Sequence, residues 1–88
     1  MGTGLDRAHT ELERAAETAS DDVREDVQVV LSAFEEYEIE DRLPDHAVFD
    51  GHLNTLRQAS ERASGETRER IDDGLEAAEA FREELEQG

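Results

Sequence analysis

The chain contains no cysteine and no lysine, so neither a disulfide nor a thiolate metal site can reinforce its fold, and all nine basic side chains are arginines. Tryptophan is absent too, and aromatic content stops at three phenylalanines and one tyrosine. Apolar runs never approach the roughly 20 residues needed to span a bilayer. The opening Met1-Gly2-Thr3-Gly4-Leu5-Asp6 lacks the basic and apolar segments of a signal peptide, so a cytoplasmic location without membrane contact is expected. The arginines are scattered, and direct nucleic-acid binding is not expected without a basic cluster to meet phosphates. Catalytic signatures are missing as well: there is no Gly-x-Gly-x-x-Gly, no phosphate-binding loop and no Glu-x-x-His pair of the di-iron type, the nearest approach being a single Asp6-x-x-His9. No enzymatic activity and no cofactor are expected.

What the chain has in excess is negative charge. Twenty-five Asp and Glu against nine arginines give a formal charge of -16 over 88 residues. Such a balance in dilute solution opposes compaction and is also a mark of disorder. At molar salt the screening length falls to about 3 Å, and neighbouring carboxylates hardly feel one another. The absence of lysine fits that solvent, because arginine keeps forked pairing to carboxylates while the long, strongly hydrated ammonium side chain is given up. A surface adapted to concentrated salt is the first reading. An acidic mimic of nucleic acid is an alternative, weakened by the spread of carboxylates along the whole chain.

The apolar residues decide between folding and disorder. Leu5, Ala8, Leu12, Ala15, Ala16 and Ala19 recur at three-four spacing, as do Val23, Val27, Val30, Leu31, Phe34 and Tyr37. A third stripe follows as Phe49, Leu53, Leu56, Ala59 and Ala63, and a fourth as Ile71, Leu75, Ala78, Phe81 and Leu85. Thr3 is a candidate N-cap for the first helix. Ser20-Asp21-Asp22, with Asp22 and Glu25 at capping-box spacing, suggests one break; Ser64-Gly65, with a glycine suited to a left-handed C-cap, suggests another. The only proline, Pro44, closes a loop over 38–44. Gly74 falls on the apolar face of the last helix, where it allows a neighbouring helix to come close.

The segment from Leu12 to Tyr37 aligns with that from Leu56 to Phe81 at a shift of 44 residues, and the matches include Leu12/Leu56, Ala15/Ala59, Ala19/Ala63, Ser20/Ser64 and Leu31/Leu75. These are core and break positions. The expectation is an all-α, single-domain four-helix bundle made of two repeated helical hairpins, about 3–38 and 45–86. The alternative runs the heptad-like spacing through both weak breaks as one long antiparallel hairpin, whose thin core would require dimerisation.

The Leu-x-x-Ala repeats, the acidic break, Pro44-Asp45-His46 and His52-Leu53 resemble a family of short, acidic helical proteins of halophilic archaea. The resemblance spans nearly the whole chain and implies a compartment and a helical fold, with no catalytic residue to carry over.

Two groups of residues are candidate sites. His46 and Asp50, four apart on one helical face, could clamp a divalent ion, with His52 nearby on another face and a further ligand required from elsewhere. The plainer reading makes Asp45 a cap, His46 and Asp50 a surface pair and His52 a packing residue. The second group, Val29, Ile39, Leu43 and Val48, lies off the main stripes and could form an exposed apolar contact with a protein partner or a second copy of the chain. A protein-interaction or structural module is therefore the leading functional expectation, and a metal or small-ligand sensor the second.

Overall fold

Four helices make up the computed structural model: α1 Gly4–Thr18, α2 Asp21–Glu40, α3 His46–Arg62 and α4 Gly65–Gln87. It describes residues 4–40 and 45–87. Each helix packs on its chain neighbours, and α1 and α4 close the ring with the most extensive contact of all. Cross-helix bonds His9 to Glu35, Asp26 to Arg62, Arg57 to Glu79 and Glu11 to Arg70 match the early part of one helix with the late part of its neighbour. All four seams are therefore antiparallel. The radius of gyration, 12.0 Å, is that of a compact fold of this length.

The sequence breaks are real, and the long-hairpin alternative is overturned: α1 and α2 are separated by Ala19 and Ser20, α3 and α4 by Ala63 and Ser64. Local chemistry explains both. At the first, the Arg24 side chain donates to the carbonyls of Ala16 and Ala19, covering the end of α1. The capping-box register expected at Asp22 and Glu25 is not the one formed, because α2 starts at Asp21; Ser20 precedes the helix and its hydroxyl donates to the Asp22 carboxylate at 2.9 Å. That bond, followed by the Val23 backbone N–H, holds the Asp22 carboxyl below its usual range. At the second break Ala63, in extended conformation, is the C-cap of α3, and Gly65 takes φ +60° as α4 begins. Gly65 has the expected left-handed backbone two residues past the cap.

α2 runs to Glu40, into the expected 38–44 loop, because the loss of apolar spacing marks the end of burial rather than of the helix; Ile39 is 83% exposed. Asp45 caps α3 by accepting from the Ala47 N–H at 2.9 Å. Thr3, Leu43 and Pro44 lie outside the described residues, as does the side chain of Leu85.

The four stripes face inward. Leu12, Val23, Val27, Val30, Phe34, Phe49, Leu56 and Ile71 are the largest fully buried side chains. All four Phe and Tyr residues gather at one end, with Phe34 stacked on Phe49 at 5.5 Å, Phe81 at 5.6 Å from Phe49, and Tyr37 beside both Phe34 and Phe49. The other end is filled by Ala15, Ala19, Val23, Ala59 and the half-buried Thr18–Thr67 hydroxyl pair. Gly74 performs the role expected of it: a Cβ there would stand 2.9 Å from Leu12 and 3.4 Å from the Ala8 carbonyl.

Candidate functional site

The segment Asp45–His52 forms the cap and first turns of α3, and its polar groups point in different directions. Asp45 is occupied by capping, and His46, next to it, is exposed. Asp50 faces α4, where Arg82 donates from Nε at 2.8 Å and from Nη2 at 3.4 Å. Arg82 is the main reason the Asp50 carboxyl lies below its usual range, with His46 and Arg57 adding smaller attractions. His52 turns toward α2 and meets Phe34 edge-on, with ring centroids 6.3 Å apart; burial lowers its pKa from the ordinary histidine value. Among the described residues, no group of three or more His, Cys, Asp or Glu side chains is placed to hold a metal ion. His46 and Asp50 do share a face, but the carboxylate is engaged by a guanidinium and His52 is directed at an aromatic ring.

The second group is exposed as the spacing suggested: Val29 is 57% and Val48 52% exposed, with Ile39 at the end of α2. Asp22, Asp26, Val29 and Ala33 follow four-three-four spacing on α2, and Asp22 and Asp26 pair with Arg62 of α3. Val29 therefore lies on the flank of α2 that looks toward α3. Val48, Thr55 and Arg62, seven residues apart, form the matching flank of α3. Val29 and Val48 thus belong to one seam.

The charged side chains mostly tie seams together. His9 joins α1 to α2, with Nδ1 3.1 Å from Glu13 and Nε2 3.0 Å from Glu35; only the imidazolium form donates from both nitrogens. Arg62 joins α3 to α2, Arg57 and Arg82 join α3 and α4, and Arg70 joins α4 to the largely buried Glu11 of α1. Glu66, Glu69, Arg70, Asp72 and Asp73 line an open hollow on α4. Its Asp72 accepts from Ser60 at 2.5 Å. Periodicity alone does not find these polar cross-links. The 44-residue shift holds a partial signal, since it sets buried Thr67 opposite Val23.

Fold and surface define a strongly acidic, antiparallel four-helix bundle with a duplicated hairpin and arginine-tied seams. The chain belongs to a family of unknown function (DUF7553), whose model matches residues 1–84. Neither a curated protein nor a solved structure matches it significantly. Among the described residues, no helix is long and apolar enough to cross a membrane.

Proposed function

We propose that this protein is a non-catalytic helical interaction module working in the cytoplasm of a salt-accumulating archaeon. The observation that carries the reading is the exposure of Val29, Ile39 and Val48 on a chain with few large apolar residues. A folded core of this size gains from every apolar side chain it buries, so leaving three in water is a cost that an interface offsets. The formal charge of -16 and the lack of lysine support the solvent assignment, and the engagement of so many arginines by the protein's own carboxylates supports a partner other than nucleic acid.

The test compares wild type with the triple variant Val29→Ser, Ile39→Ser, Val48→Ser in molar potassium chloride. Light scattering reads self-association, and affinity capture from a native high-salt lysate reads other partners. Association or capture that disappears in the triple variant is the expected result. A wild-type protein that stays monomeric and retains nothing overturns the reading.

A further inference from the structure

The outward face of α3 is unlike any other in the molecule. Ala47, Gly51, Asn54 and Gln58, at four-three-four spacing, are all exposed, and none is charged. Val48 stands beside this stripe, and Val29 faces it from α2 across the seam. The charges of α3 lie elsewhere: Asp50 and Arg57 are drawn to α4, and Arg62 to α2. By contrast, the exposed residues of α1 include Asp6, Arg7, Glu13, Arg14 and Glu17, and those of α2 and α4 are predominantly acidic.

Gly51 adds an independent observation. It sits inside a helix, where glycine is roughly 0.8–1 kcal/mol worse than alanine. A Cβ at Gly51 would meet nothing within 4 Å, so no internal packing explains it. Gly74 shows what glycine does in this fold when it has a reason, admitting Leu12 against the helix backbone. At Gly51 the body that would approach lies outside the monomer.

We propose that this face binds a second copy of the chain, α3 against α3 in antiparallel fashion about a two-fold axis between Gly51 and Asn54. The proposal rests on the interaction-module reading and names its partner. An isologous interface places every residue opposite its own surroundings, so it must tolerate itself. On a chain of charge -16, the uncharged face is where two copies meet without opposing carboxylates. Near the axis Asn54 meets the bare backbone of Gly51, and at the ends Gln58 meets Ala47; each amide supplies both donors and an acceptor. Val48 and Val29 extend the contact toward α2. Three helical turns by two helix widths give roughly 350 Å² per subunit, under half of the ~800 Å² of a standard stable interface. The dimer is therefore weak and forms only where salt screens the remaining charge.

The test is sedimentation velocity over a protein concentration series at low and molar potassium chloride, with each variant checked for helicity. Wild type is expected to show reversible dimerisation that strengthens with salt. Gly51→Glu and Asn54→Glu, which raise helix propensity and so keep the fold, are expected to weaken the dimer by about tenfold or more, since each charge meets its symmetry mate. Ala80→Glu places the same charge on the exposed face of α4 and should dimerise as wild type does. Three results would overturn the proposal: wild type monomeric in molar salt at every concentration, a dimer indifferent to Gly51→Glu and Asn54→Glu, or one equally weakened by Ala80→Glu. If wild type is monomeric but still captures a partner that the triple serine variant loses, the self-partner is refuted while the module reading stands. Monomer without capture refutes both.

Discussion

Replacing Gly74 with alanine should destabilise this protein, although the same change at most exposed helical positions would stabilise it. Helix propensity alone favours Gly74→Ala by about 0.8–1 kcal/mol. Against it stands the new methyl, 2.9 Å from both Cγ and Cδ2 of Leu12 and 3.4 Å from the Ala8 carbonyl oxygen. Contact at Cγ means that the whole isobutyl group has to move, and Leu12 is fully buried. Overpacking of this kind costs about 1–3 kcal/mol, leaving a net loss of up to about 2 kcal/mol. Gly51→Ala is the matched control, because its methyl enters open space and only the propensity gain remains. The two variants should differ by about 2 kcal/mol, or roughly 8–16 °C in melting temperature for a domain of this size. Thermal melts followed by far-ultraviolet circular dichroism, at concentrations too low for self-association, would measure it. Leu12→Ala should cost less in the Gly74→Ala background than in wild type, with a coupling of about 1–2 kcal/mol. A Gly74→Ala protein that melts at or above wild type would refute the reasoning.

Other expectations follow from the surface and the caps. Melting temperature should rise steeply from low to molar potassium chloride as carboxylate repulsion is screened; a salt-independent melt would show that the acidity serves something other than solvent and would revive the nucleic-acid mimic. Asp45→Ala should cost about 1 kcal/mol by removing the cap on Ala47, whereas Asp45→Asn should be nearly neutral; equal losses in chemical denaturation would exclude capping as the cause. His52 gives a pH signature. Burial lowers its folded pKa below 6.5, so the unfolded chain takes up the proton first and stability falls as pH drops below 6.5. Asp50, held low chiefly by Arg82, acts in a separate window: its contribution is present above pH 3.8 and is lost as pH falls through its folded pKa. His52→Phe should flatten the upper window and leave the acid limb, and an unchanged pH profile in urea melts would rule out His52 as its source.

Much of the fold was legible because burial here is almost purely periodic. Each stripe read from three-four spacing faces the core, and both short breaks fall where a serine interrupts it. The exposed valines were legible for the complementary reason, as large apolar residues out of register. The polar detail was not. Arg24 covers a helix end, Arg82 crosses to Asp50 and Glu11 is nearly buried beside Arg70 through tertiary contacts, and one carboxylate among 25 has no sequence mark to say which arginine it will meet. The end of α2 was missed because loss of apolar spacing reports the limit of burial, and a helix can run on past it into water.

The repeat predicted two like halves, yet the two long-range seams they form are not alike, and the same 44-residue shift explains why. Position by position, Ala8, Gly74 and Ala78 at the α1–α4 seam stand where His52, Val30 and Phe34 stand at the α2–α3 seam. Small residues draw α1 and α4 into the most extensive contact in the bundle, while an imidazole and stacked rings occupy the equivalent space between α3 and α2. The divergence continues outward: Val29 corresponds to Asp73, and Gly51 to Arg7. An ancestral requirement of the hairpin would be expected to survive in both copies. The apolar and glycine character of the α2–α3 face survives in one, so it answers to something outside the common fold, and that face is where the search for a partner belongs.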